Sequence, residues 1–181
     1  MDDLRENEST IPRPIEHCYW VVPGKLLAGE YPRNIDEASS REKIAALTAA
    51  GVTAFIDLTG ENDGLLPYVH FLETASHEQF PIRDFSVPDS PETTAAILDA
   101  IDVYLARGDL VYVHCWGGVG RTGVIVGCWL ARHGYPGRAA LVRLRELWAQ
   151  CPKSACKASP ETAEQARYIV DWAEDLAVAK S

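Results

Sequence analysis

Apolar positions along the chain fall into short runs that alternate with longer amphipathic stretches. YWVV (19–22) and KLLA (25–28), parted by Pro23 and Gly24, predict a hairpin of two short strands. Asn34 followed by Glu37 has capping-box spacing, and Ile44, Ala45 and Leu47 give a helical apolar face that ends at Gly51. VTAFIDL (52–58) is continuously apolar, as a buried parallel strand should be, and runs into the polar loop TGENDG. A weaker helix is expected over 67–76, followed by a short strand EQFPI (78–82) and a loop, RDFSVPDS (83–90), broken by Pro88. Ser90 as cap with Pro91 at the first helical position opens a helix that ends at Arg107 and Gly108. DLVYVHC (109–115) is the next buried strand and stops at GGVG. An apolar helix over 121–133, closed by Gly134, comes next. Two more helices are expected over about 137–150 and from Ser159 or Pro160 to about 179. Strands alternating with helices, then a helical C-terminal third, predict an α/β fold. Its expected centre is a mixed, mostly parallel sheet of four to five strands flanked by helices.

Residues 1–16 lack either periodicity and carry Pro12 and Pro14, so a flexible N-terminal arm is expected before a single domain over 17–181. The formal charge of −9 argues against nucleic acid and anionic membrane as partners. The opening MDDLRENEST is polar and acidic where a secretion signal would be basic and then apolar. Five cysteines at irregular positions, 18, 115, 128, 151 and 156, form neither a disulfide framework nor a CxxC zinc pair. A reducing, cytoplasmic location is therefore expected.

Chemistry concentrates in VYVHCWGGVGRTG (111–123), a strand, glycine-rich loop and helix in succession. Such a loop turns consecutive backbone N–H groups inward at the positive end of a helix and forms an anion cradle. Trp116, Gly117, Gly118, Val119 and Gly120 would build that cradle, its three glycines permitting torsions and close approaches that larger residues forbid. Cys115 enters it from the strand end, where N–H groups and helix dipole favour thiolate over thiol. Six positions on, Arg121 can hold two phosphoryl oxygens through its planar fork, which a lysine cannot reproduce. Phosphoryl transfer needs mainly positioning and charge stabilisation, so no metal or cofactor is expected. His114 is expected to order the loop through backbone groups, and Trp116 either walls the cleft or packs. The plain alternative, a core thiol followed by a surface arginine, leaves the coincidence of nucleophile, nest and guanidinium unexplained.

HCWGGVGRTG resembles the HCxxGxxRT/S phosphate loop of the protein tyrosine phosphatases, and in length the chain resembles their small dual-specificity-like members. The resemblance implies a phosphocysteine intermediate on Cys115, with the Thr122 hydroxyl bonding the sulfur and easing its departure. It also implies a general acid on an upstream loop. RDFSVP is similar to the WPDHGVP loop of classical members and makes Asp84 the first candidate, with Asp89 beyond Pro88 as the second. ETAEQ (161–165) lies where classical members carry QTxxQ, so Gln165 is a candidate for ordering water, although a capped helix start explains the segment equally well. Asp57, closing its strand, either orients the phosphate loop or a histidine, or caps a turn. The implied substrate is phosphotyrosine, with phosphoserine and phosphothreonine, in proteins, or a small phosphomonoester. Inositol phosphates or phosphoinositides are the alternative, and a catalytically silent phosphate-binding module is a second.

Overall fold

The computed structural model describes residues 11–174. Residues 1–10 of the expected arm and 175–179 of the last expected helix lie outside the described residues. Five strands form one sheet in the order β1-β2-β5-β3-β4. β1 (Cys18–Val22) and β2 (Leu26–Gly29) pair antiparallel, while β3 (Val52–Asp57), β4 (Ser76–Gln79) and β5 (Leu110–His114) continue in parallel. The mixed, mostly parallel sheet expected from the alternating pattern is present. Residues 11–15 lie against β1, where the Trp20 indole donates to the Ile11 carbonyl at 3.1 Å and the Cys18 thiol to that of Ile15 at 3.2 Å.

The period of two along each strand sorts side chains to opposite faces. Tyr19, Val21, Ala28, Ile56, Val111, Val113 and Cys115 join the core under α2 (Pro91–Ala106), α3 (Gly120–Arg132), α4 (Arg138–Trp148) and α5 (Ala163–Asp171). Trp20, Leu27, Phe55 and Tyr112 point the other way, onto Ile44 and Leu47 of α1 (Glu37–Ala49) and onto Tyr68. No helix among the described residues is long and apolar enough to cross a membrane.

Four expectations need correction. Helix α1 is capped by Asp36, whose carboxylate accepts from the Ser39 N–H at 2.8 Å, so Glu37 is the first helical residue and not the third of a box begun by Asn34. The helix expected over 67–76 is a single 3-10 turn, Val69–Phe71, because Tyr68 is drawn into the core and the stretch has no apolar period to bury. β4 starts at Ser76 instead of Glu78. Its ladder ends where Gln79 pairs Asp57, and Pro81, lacking an N–H, cannot extend it. Helix α5 begins after Thr162, which shares a capping box with Gln165, and stops at Asp171. Ser159, the expected cap, spends its hydroxyl on the Val119 carbonyl at 2.8 Å.

Candidate active site

Cys115 sits just past the end of β5, 3 % exposed, where the chain leaves the sheet and turns into α3. The carbonyls of the intervening loop are tied to donors outside it. That of Cys115 faces the His114 ring nitrogen Nδ1 at 3.3 Å, Trp116 accepts from the Tyr31 N–H at 2.8 Å, and Gly117 accepts from Lys153 Nζ at 2.9 Å. Val119 takes the Ser159 hydroxyl described above. With these carbonyls held outward, the loop's N–H groups are turned toward its concave side, which is how an anion nest is built. Gly118 is indispensable to this path. Its φ is +72°, and a Cβ there would lie 2.4 Å from the Gly29 carbonyl carbon and 2.7 Å from the Glu30 nitrogen.

Arg121 emerges from the first turn of α3 and is buried, at 1 % exposure. Its Nη1 donates to Asp63 Oδ2 at 2.9 Å and to the Ile82 carbonyl at 3.0 Å, while Nη2 lies 3.2 Å from Asp84 Oδ1. Burial alone would loosen the guanidinium proton, but the bond to Asp63 and the nearby Cys115 and Asp84 hold it more firmly than in water. Among the described residues Nε makes no hydrogen bond, and Nη2 has only the Asp84 carboxylate beside it, outside hydrogen-bond geometry. Nη1 is thus fixed by Asp63 and Ile82, and Nε and Nη2 stand side by side on the other edge of the fork, with the Asp84 carboxylate next to Nη2. Among the described residues the buried Thr122 hydroxyl likewise has no hydrogen-bond partner.

Behind the loop, His114 is fully buried and lies 2.7 Å by Nε2 from the Tyr68 hydroxyl. Asp57 does both things its position allowed. Its Oδ1 accepts from the Thr59 N–H at 2.9 Å, capping the turn, and its carboxylate lies 3.3 Å from His77 and 3.9 Å from His114. Burial works to raise the Asp57 carboxyl, but hydrogen bonds from His77 and Thr59 and the proximity of His114 hold it below the ordinary value. Burial lowers His114 to about 4, with Asp57 opposing. Neutral His114 therefore donates from Nδ1 to the loop and accepts at Nε2 from Tyr68.

A stability prediction follows. An unfolded histidine takes up its proton near pH 6.5, the folded one only near pH 4, so in that window the unfolded state binds more protons and stability falls as pH falls. The span amounts to about 3 kcal/mol. Urea unfolding at pH 7, 5.5 and 4.5 should show this loss, and His114→Gln should flatten it. An unchanged pH slope in that variant contradicts the assignment.

The loop that carries Asp84 closes the cleft from the opposite side. Asp84 Oδ1 accepts from the Phe85 N–H at 3.0 Å, and Phe85, at φ +57°, is 59 % exposed. Asp84, Phe85, Cys115, Trp116, Arg121 and Glu161 are among the residues around a cleft of about 350 Å³, which Asp89 does not line. Trp116 is 53 % exposed at its rim. Gln165 is fully buried against Gly120. Its Oε1 accepts from the N–H groups of Glu161 and Thr162, both at 3.1 Å, and its Nε2 donates to the Ser86 carbonyl at 2.9 Å, tethering the loop that carries Asp84 to the start of α5. Cys128 and Cys151 are buried and Cys156 is exposed.

Compared with known proteins, residues 15–169 match the family model described as Swiss Army Knife protein, DSP-PTPase phosphatase domain. The chain belongs to that family. It is thereby a member of the protein tyrosine and dual-specificity phosphatases. Among curated proteins it is 34 % identical over 115 residues to protein 067L of Invertebrate iridescent virus 3, provisionally named a tyrosine phosphatase, covering 62 % of this chain and 45 % of that one. An uncharacterised Methanocaldococcus jannaschii protein, MJECL20, is 30 % identical over 92 residues, 51 % of this chain and 56 % of its own. The chain spans about half the length of the curated relatives it matches. Among solved structures, kinase-associated phosphatase with its catalytic cysteine replaced by serine superposes with TM-score 0.70 at 16 % identity, over 88 % of this chain and 93 % of that one. The active form of Tk-PTP gives TM-score 0.65 at 23 % identity, over 84 % and 92 %. Those identities speak to the fold alone.

Two partners of this family's loop were not singled out in the sequence. Asp63 anchors Arg121 from the loop after β3, and its only signal was a carboxylate in TGENDG at the C-terminal edge of a parallel strand. Lys153 had no signal. It lies in the 3-10 turn Pro152–Ala155, where Glu30 accepts from it at 2.7 Å while it holds the Gly117 carbonyl.

Proposed function

We propose that this chain hydrolyses phosphomonoesters through a phosphocysteine on Cys115, with phosphotyrosine in proteins as its preferred substrate and phosphoserine or phosphothreonine as further ones. The observation that carries the reading is the divided guanidinium of Arg121. Asp63 and Ile82 hold Nη1, while Nε and Nη2, the latter 3.2 Å from the Asp84 carboxylate, make no hydrogen bond among the described residues and are the pair we assign to two phosphoryl oxygens beside the buried thiol. The phosphoryl group would lie in the cradle formed by Trp116, Gly117, Gly118, Val119 and Gly120. The Cys115 thiolate attacks phosphorus, the P–O bond to the leaving group breaks, and Asp84 delivers its proton to the departing oxygen. Water then attacks the phosphocysteine, the S–P bond breaks, and Thr122 hydrogen-bonds the returning thiolate, a role for which its hydroxyl is unclaimed. Phe85 and Trp116, both aromatic and both exposed at the cleft, support an aryl ester as substrate. Beside Arg121 and Lys157 stand Asp84 and Glu161, a near balance of charge that gives a polyphosphorylated inositol little advantage.

Side-by-side turnover of phosphotyrosine peptides, phosphothreonine peptides and inositol phosphates, without added metal, tests the substrate class. Phosphotyrosine should lead. Faster inositol phosphate hydrolysis would reverse the assignment, and phosphopeptide binding without turnover would make the domain a silent binder. Asp84→Asn should lower kcat by about 100-fold for leaving groups that need a proton and flatten the basic limb of the pH profile, while Asp89→Asn leaves both in place. The opposite pattern would move the acid to Asp89.

A further inference from the structure

Trp116 belongs to two hollows. Besides the cleft at Cys115 it lines a groove of about 650 Å³, whose other walls come from the loop after β2 and the loop after β3. These two loops are tied to each other and to the phosphate loop. Tyr31 donates its N–H to the Trp116 carbonyl at 2.8 Å and its hydroxyl to the Leu66 carbonyl at 3.0 Å, and Arg33 donates to the Pro67 carbonyl. The groove is therefore formed before any ligand arrives, and its place beside the cleft is fixed.

Its lining is apolar where it meets solvent. Ile35 is 92 % exposed and Leu66 47 %, and with Trp116 they put three large apolar side chains around one hollow, whereas a lone exposed isoleucine would need no explanation. The charged groups of the lining are answered within the fold. Glu30 accepts from Lys43 and Lys153, Asp63 is paired to Arg121, and Asp36 accepts from the Ser39 N–H. Arg33, which pairs with no carboxylate among the described residues, lies 5.1 Å from the centre of the Phe71 ring in addition to its bond to Pro67.

Resting on the phosphatase reading above, we infer that this groove selects among substrates by taking an apolar side chain that flanks the phosphotyrosine in the polypeptide. Continuity with the cleft decides the occupant. A phosphotyrosine seated at Cys115 carries its main chain past Trp116, and three extended residues cover about 10 Å, the breadth of a hollow of this volume. Ile35 and Leu66 then lie within reach of a residue no more than three positions away. A small aryl phosphate has nothing to place there. Burial of one leucine-sized side chain suffices for about a tenfold preference in kcat/KM.

Phosphotyrosine peptides carrying Leu, Ser, Asp or Arg at each of the three positions on either side, in an uncharged background, test the inference. Wild type should favour Leu over Asp by about tenfold in kcat/KM at one flanking position. The variant carrying both Ile35→Asp and Leu66→Asp should lose that preference and favour Arg there, while its kcat/KM on p-nitrophenyl phosphate stays within about threefold of wild type. Ile35→Asp alone, at a position with little to unpack, should shift the choice in the same direction by a smaller factor. A Leu preference that survives both aspartates overturns the inference, as does a wild-type preference for Asp, which would give the groove to Arg33. So does a dimer, seen by sedimentation, that the two aspartates dissociate without altering peptide choice, because a second copy would then fill the groove. Wild type that turns over neither p-nitrophenyl phosphate nor any phosphotyrosine peptide overturns the phosphatase reading and this one with it. Turnover of every peptide at one rate overturns this one alone.

Discussion

Arg121→Lys should lower kcat by about 1,000-fold while leaving the domain folded. The lysine ammonium can reach Asp63 and keep that nearly buried carboxylate paired, but it then has no second, coplanar pair of donors for the phosphoryl oxygens. Arg121→Ala is the poorer variant. It strands Asp63, whose side chain is 8 % exposed, and an unpaired buried charge costs about 3–5 kcal/mol, so lost activity and lost structure would be confounded. Kinetics of Arg121→Lys on an aryl phosphate, with thermal unfolding as control, decide the point. A kcat within threefold of wild type would show that the Nε and Nη2 donors do not grip the phosphoryl group.

Gly118→Ala should be the most damaging of the glycine substitutions relative to its size. A methyl group there meets backbone on the neighbouring strand end, at 2.4 Å and 2.6 Å from the Gly29 carbonyl carbon and oxygen, and φ +72° is unfavourable for any L side chain. Neither Gly29 nor Glu30 can retreat, because Glu30 is fixed by its N–H to the His17 carbonyl at 3.1 Å and by its carboxylate to Lys153. Gly64 is the control, with φ +64° and nothing among the described residues within 4 Å of its would-be Cβ. Gly64→Ala should cost about 1 kcal/mol from backbone strain, and Gly118→Ala about 3 kcal/mol or more, with activity lost as the loop is displaced. Equal urea midpoints for the two variants would contradict the tight seating of the phosphate loop on β2.

The strand, loop and helix around Cys115 were legible in the sequence because their signals are local and agree. An apolar run, a glycine cluster and a second apolar run sit end to end, and each residue of the cradle is adjacent in the chain. That residues 83–90 form a loop was also within reach, since Pro88 punctuates them. What stayed hidden depends on distant partners. Residues 67–82 have no period of their own. Tyr68 is placed by His114, and β4 by its ladder with β3, so propensity placed a helix and a shifted strand there. Ser159 and Pro160 look like a helix start, yet the loop carbonyl of Val119 claims the Ser159 hydroxyl and leaves the cap to Thr162. Asp63 and Lys153 lie 58 and 36 residues from the groups they hold, a separation that no sequence spacing encodes. The reading of Gln165 shows the limit from the other side. The sequence allows a water-ordering role for Gln165 or a helix start capped by Ser159, and the amide instead closes the capping box with Thr162 and donates to the Ser86 carbonyl.

The intermediate is the direct test of the whole account. Wild-type protein mixed with a radiolabelled aryl phosphate, quenched in acid within milliseconds and digested, should yield one labelled peptide, containing Cys115. Cys115→Ser should carry no label and show no turnover. Steady hydrolysis by Cys115→Ser, or rapid wild-type turnover with no label on Cys115 at any quench time, would contradict phosphocysteine chemistry at this site.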